Sequence, residues 1–151
     1  MFIPIGGESI SRSLAMLFLT LLLVAPLTPA NATSKATRYL IKQEIANGCD
    51  TKRGKFNATG IIERDLTGDG AKDLILDHGG ITCSDGSRSG FCGAAMCSVI
   101  FYVRDNNGLL QQKLEVLSIG ATNKGGNPAN IELINHRGKT SIVRWNGSTF
   151  D

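Results

Sequence analysis

Between Asp65 and Asp73 the chain reads DLTGDGAKD, and it runs straight on into Leu74, Ile75 and Leu76. Acidic side chains at Asp65, Asp69 and Asp73, with Thr67 between them and Gly70 suited to a sharp bend, make a turn whose oxygens point inward. Entered from Ile61 and Ile62 and left through Leu74 to Leu76, so short a turn joins two strands that neighbour each other in a sheet. It commits the middle of the chain to antiparallel β structure. The same residues suit a hard cation, since calcium takes about six to eight oxygen ligands at about 2.3–2.6 Å. A tight turn in which Asp bonds its own backbone has the same shape without an ion. An EF-hand is excluded, because that loop closes on a bidentate Glu at its twelfth position, which counted from Asp65 is Leu76.

The segment resembles the shorter loop of FG-GAP and VCBS-type repeats, D-x-[DN]-x-D-G-x-x-D, which sits between two strands of a propeller blade. The resemblance implies calcium, with Asp65, Asp69 and Asp73 as side-chain ligands and Ala71 as a carbonyl ligand. Thr67 stands where the family carries Asn or Asp, and its hydroxyl is a neutral, weaker donor. The acidic loop occurs in a single copy, and a closed propeller needs several blades of about forty residues each. The loop is therefore expected to brace one small domain.

The first 32 residues are expected to be removed from that domain. Arg12 precedes an apolar run from Leu14 to Val24, and Ala30-Asn31-Ala32 supplies small residues at the recognition positions, as in a secretory signal peptide cut after Ala32. The run is shorter than the roughly twenty residues a membrane span requires, and no Cys follows it for a lipoprotein anchor. Taking residues 1–32 from a chain of 151 leaves 119, enough for one domain over residues 33–151. The formal net charge stays at +3, because Arg12 and Glu8 leave together. Lys52, Arg53 and Lys55 are a short basic cluster without interleaved aromatics, so nucleic acid is not an expected partner.

All four cysteines, Cys49, Cys83, Cys92 and Cys97, fall in the exported part, where an even count points to disulfides. There is no C-x-x-C pair to suggest zinc. Three pairings are open on sequence alone. The expected one joins Cys92 to Cys97 around C-G-A-A-M-C and Cys49 to Cys83 across the start of the domain.

Ser34 is placed to cap a helix from Lys35 to Ala46, ended by Asn47-Gly48. The stretches Phe56–Arg64, Leu74–His78, Cys97–Arg104, Leu109–Leu117, Asn130–Ile134, Lys139–Trp145 and Ser148–Phe150 read as strands. Asp105-Asn106-Asn107-Gly108 reads as a type I′ hairpin turn, and Asn146-Gly147 as another. Gly79–Gly93 and Gly120–Pro128 read as irregular loops. With one short helix and no crossover helices, the expected class is mainly β, a small antiparallel meander held by disulfides. The run from D-L-T-G-D-G-A-K-D through I-T-C to F-C-G-A-A-M-C-S-V-I-F is similar to a group of small exported bacterial proteins, over about residues 60–104. That resemblance implies an exported, disulfide-bonded, mainly β protein and carries no activity with it.

Signals for catalysis are thin. His78, beside Asp77, is the one candidate base, with Ser84 or Ser87 as nucleophile, and His136 falls in a turn. Carboxylate pairs for glycoside hydrolysis can be drawn from Glu63, Asp65, Asp77 and Asp85, but their spacing is not readable from sequence. Glycine-rich phosphate motifs and cofactor signatures are lacking. Trp145 and Phe150 flank the last turn as a cross-strand core pair.

Binding is the better expectation. The loop S-D-G-S-R-S, with Ser84, Asp85, Ser87 and Arg88, is polar, glycine-containing and flanked by cysteines, and such loops carry function more often than sheet faces. Arg88 is its natural anchor. The expected function is that of an exported, periplasmic or secreted, non-catalytic binding or structural domain braced by a calcium-type loop. The alternative is a periplasmic inhibitor or immunity protein whose partner is a toxin or cell-wall hydrolase, in the general manner of small exported bacterial proteins that present a polar loop on a β scaffold.

Overall fold

The computed structural model describes residues 33–151, and the expected signal peptide lies outside the described residues. Helix α1 (Lys35–Gly48) starts where Ser34 caps it, the Thr37 N–H donating to the Ser34 hydroxyl at 3.2 Å. It runs two residues beyond the expected Ala46, and Gly48 is its last helical residue rather than a left-handed stop. The glycine is needed there for space: a Cβ at residue 48 would lie 2.6 Å from Ser89 Oγ and 2.8 Å from the Phe91 ring.

Nine strands follow: β1 (Gly54–Phe56), β2 (Ile61–Arg64), β3 (Asp73–Asp77), β4 (Ile81–Cys83), β5 (Cys97–Arg104), β6 (Leu110–Ser118), β7 (Ala121–Asn123), β8 (Asn130–Ile134) and β9 (Thr140–Arg144). All pair antiparallel, in three sheets: β1-β4, β2-β3-β5-β6 and β7-β8-β9. The class is mainly β with one helix. As the acidic turn required, β2 and β3 are direct neighbours, Ile61 opposite Leu76 and Arg64 opposite Asp73.

The four-stranded sheet is covered on both faces. Ile75, Val99 and Phe101 point into a cluster with Leu66, Ala129, Ile131, Leu133 and Phe150, which packs the three-stranded sheet against one side. Leu74, Leu76, Ile100 and Tyr102 face the other way, onto Leu40 and Ile41 of α1. That is why Leu74–Leu76 and Val99–Tyr102 are continuous apolar runs rather than alternating ones: both side-chain directions lead into the interior. Trp145 and Phe150 form the expected pair, ring centroids 5.0 Å apart, with Phe101 a further 4.9 Å from Phe150. The segment Ser148–Phe150 contributes one bridge, Trp145 to Phe150, instead of a strand.

Disulfides join Cys49 to Cys83 and Cys92 to Cys97. The first ties the end of α1 to β4, inside the expected irregular segment Gly79–Gly93. That segment holds regular structure because Ile81–Cys83 pairs with β1, Gly54 opposite Cys83. Gly54 permits the approach, since a Cβ there would lie 2.6 Å from the Thr82 carbonyl. In Gly120–Pro128, likewise, three residues pair with β8. The hairpins also depart from the type I′ expectation. At Asp105–Gly108 only Gly108 has a positive φ (79°), and the Asp105 carboxylate accepts the N–H groups of Asn107 and Leu109, both at 2.9 Å. An acceptor at the first turn position favours an ordinary turn followed by a left-handed glycine. Asn135 and Gly138 repeat the device.

Candidate functional site

In the acidic loop the carboxylates are engaged by backbone N–H groups. Asp65 accepts Gly68 N–H at 2.6 Å and Gly70 N–H at 2.9 Å, and both glycines hold φ near +90°, at 87° and 88°. Asp69 accepts Ala71 N–H at 2.8 Å. Asp73, fully buried, accepts Leu66 N–H at 2.9 Å, Thr67 N–H at 3.2 Å and, from β5, Arg104 N–H at 2.8 Å. Burial pushes its carboxyl above the ordinary value while the Arg104, Leu66 and Thr67 amides pull the other way. Thr67 Oγ1 is buried with no hydrogen-bond partner among the described residues. For a cation the loop offers that hydroxyl and the lone pairs that the amides leave on Asp65 and Asp69. Among the described residues no three His, Cys, Asp or Glu side chains form a ready-made metal group. Calcium takes oxygen ligands; of the expected set, Asp65, Asp69 and Asp73 already accept backbone N–H groups and Thr67 Oγ1 is buried.

The base at His78 is occupied elsewhere. Its ring is fully buried, with Nε2 3.0 Å from Glu44 Oε2 and Nδ1 2.9 Å from the Ser98 carbonyl, and it packs on Phe91 at 4.3 Å. Tyr102 donates its hydroxyl to Glu44 Oε1 at 3.4 Å, and burial together with Glu44 raises the phenol so that it stays protonated. These contacts bind α1 to the central sheet and leave no nitrogen of His78 for Ser84 or Ser87.

A second carboxylate supports the other end of α1. Glu63 on β2 accepts the Ser34 N–H at 3.1 Å and the Thr37 hydroxyl at 2.8 Å, with Arg104 Nη2 at 3.8 Å. Burial pushes Glu63 up, yet the bonds from Ser34 and Thr37 and the Arg104 charge together hold it below its ordinary 4.5. A lowered acid stabilises the folded state above the ordinary value and loses that contribution as pH falls through the folded one. Glu63→Gln is therefore expected to cost about 1.5 kcal/mol at neutral pH and to flatten the acid limb below pH 4.5 in urea titrations. An unchanged acid limb would contradict this role.

The loop expected to bind is exposed and ordered by its own bonds. Asp85 accepts Ser87 N–H at 2.9 Å and Ser87 Oγ at 2.7 Å, and Cys83 accepts Gly86 N–H at 3.0 Å. Arg88 folds back on the small disulfide loop, donating to the carbonyls of Gly93 at 2.8 Å and Ala94 at 3.2 Å. Its guanidinium holds that loop in place. Ser84 donates its N–H to the Arg53 carbonyl at 2.9 Å and its hydroxyl lies 3.0 Å from Thr51 Oγ1, so the polar loop and the basic loop form one surface.

That surface leads into a groove not foreseen from the basic cluster alone. The half-buried Ile41 and Ile45 of α1 form its floor, exposed Arg38 and Lys42 one rim, and exposed Lys52 and Arg53 the other, in an open groove of about 620 Å³. A neighbouring cavity of about 420 Å³ shares Arg53 and Gly54 and extends to Thr82 and Ser84. No protein-family model, curated protein or solved structure matches the chain. The groove is therefore argued from its own chemistry. The sequence did hold its signal: Arg38 and Lys42, like Ile41 and Ile45, are spaced i and i+4 and so share a helix face. What it lacked was the fold that sets this face against Lys52 and Arg53.

Proposed function

We propose that this is an exported, non-catalytic binding domain that captures an acidic protein partner along one face. That face runs from the groove between Arg38, Lys42, Lys52 and Arg53 to the loop of Ser84, Asp85, Ser87 and Arg88. The observation that carries the reading is the groove itself, an apolar floor between two basic rims. Such a site fits a segment with apolar side chains flanked by Asp or Glu. Two disulfides agree with a protein working in an oxidising compartment, which we take to be the periplasm or the exterior. A toxin or cell-wall hydrolase held by the same face is the inhibitor form of this reading.

The acidic loop serves as a calcium-type brace, as its likeness to FG-GAP and VCBS loops suggests. Asp65, Thr67, Asp69, Asp73 and the Ala71 carbonyl are the residues that would hold the ion, which would add cross-links within the turn. At tenfold excess over its dissociation constant, calcium should raise stability by about 1.4 kcal/mol. Thermal melts in millimolar calcium and in chelator test this. Equal midpoints for the wild type would remove the ion from the reading and leave the binding face untouched.

For the face, photocrosslinkers at Lys42 and at Ser87 should capture the same exported protein. Arg38→Glu with Arg53→Glu should abolish capture, while Arg144→Glu, on the far sheet, should not. Capture indifferent to the double charge reversal would overturn the proposal.

A further inference from the structure

A second cleft lies away from that face, where the turn His78–Gly80 meets the β6–β7 connection. It is an open cleft of about 260 Å³, just below the roughly 300–1,000 Å³ typical of small-ligand sites. Its lining is mostly polar and short, with Asn57, Thr59 and Thr122 exposed, Gly79 and Gly120 beside the carboxylate of Asp77, and Ile119 as the one large apolar member. Asp77 Oδ1 accepts Gly79 N–H at 2.9 Å. None of the ion pairs among the described residues involves Asp77. The adjacent His78 ring is turned into the core onto Glu44. Gly120 borders the carboxylate: a Cβ there would make an ordinary contact with Asp77 Oδ2, at 3.7 Å, so a larger side chain at this position would project beside the ligand's anchor.

We infer that this cleft is a binding site for a compact hydroxylated primary amine, with the ammonium on the Asp77 carboxylate and the hydroxyls on Asn57, Thr59 and Thr122. A half-buried carboxylate without a cationic partner is the strongest recognition element in so small a space, and an ammonium relieves it with charge-assisted hydrogen bonds. Burial pushes the Asp77 carboxyl up, against the opposing pull of the Gly79 and Ala121 amides and of the neighbouring His78. Ile119 is the one large apolar side chain in the lining, too little to seat an aromatic or aliphatic ligand on its own. The three polar side chains favour a polyol frame, as in an amino sugar.

The test is a titration of the isotope-labelled protein with D-glucosamine, followed by amide NMR shifts. Saturable shifts centred on Gly79, Gly80, Gly120 and Ala121 are expected, with at least tenfold weaker binding of glucose and of N-acetylglucosamine, which lack the ammonium. Asp77→Asn should weaken glucosamine binding at least tenfold. Gly120→Val should do the same by filling the cleft while leaving the carboxylate in place, so that the idea stays testable if one variant does not fold. Shifts absent at tens of millimolar glucosamine, or equal binding of all three sugars, would overturn the assignment.

Discussion

Asp73→Ala is expected to lower the free energy of unfolding by about 4 kcal/mol, because it strands the N–H groups of Leu66, Thr67 and Arg104 at once. A buried donor left without a partner costs about 1–3 kcal/mol, and three that share one acceptor do not add in full. Asp65→Ala, whose amide partners Gly68 and Gly70 are open to water, should cost about 1 kcal/mol. The comparison separates two roles within one loop. Asp73 links the turn to β5 in the interior; Asp65 shapes the turn at the surface. Urea unfolding of both variants, in calcium-free buffer, measures the difference, and similar losses would show that the link to Arg104 has no special weight. The pH slope has a definite sign as well. With its carboxyl raised by burial, Asp73 contributes most below its ordinary 3.8 and progressively less as pH rises through the folded value, opposite to Glu63.

Removing the Cys49–Cys83 bridge with a double Ser substitution should cost about 4 kcal/mol, against about 2 kcal/mol for Cys92–Cys97, on the loop-closure account for separations of 34 and 5 residues. For a domain of this size the larger loss corresponds to a fall in melting midpoint of roughly 15 °C. The longer bridge also secures β1 and β4, which pair over only three residues each and share the small cluster of Cys49, Ile81 and Cys83. Its loss should therefore raise amide exchange in Gly54–Phe56 and Ile81–Cys83 before the central sheet is affected. Equal midpoints for the two double variants would mean that chain entropy is not what the long bridge controls.

The elements easiest to read in the sequence were those whose signals are local. Ser34 marked the start of α1, the acidic turn marked the β2–β3 pairing, and S-V-I-F-Y-V marked β5. Short strands such as β1, β4 and β7 escaped because three residues carry no usable periodicity; each forms only because a partner from elsewhere in the chain is brought alongside. The turn type at Asp105–Gly108 was missed because an Asp acceptor outweighed the preference of Asn-Gly for a mirror-image turn. His78 reads as a candidate base because Asp77 is next to it, and nothing near it in sequence announces Glu44, which lies on the helix across the core. The groove and the Asp77 cleft share this limit. Their side chains were visible one by one, and only the fold brings Arg38 to Arg53, or Gly120 to Asp77.

The central sheet, covered by a helix on one face and by three strands on the other, has a consequence for how the chain can be shortened. A fragment ending before β7 would lose the strands that cover Ile75, Val99 and Phe101 and would present those side chains to water as one patch. Such a patch invites association between fragments. Protease cuts in the exposed turns at Asn106 or Arg137 should thus leave nicked but intact molecules, whereas a chain truncated at Ser118 should be recovered as aggregate.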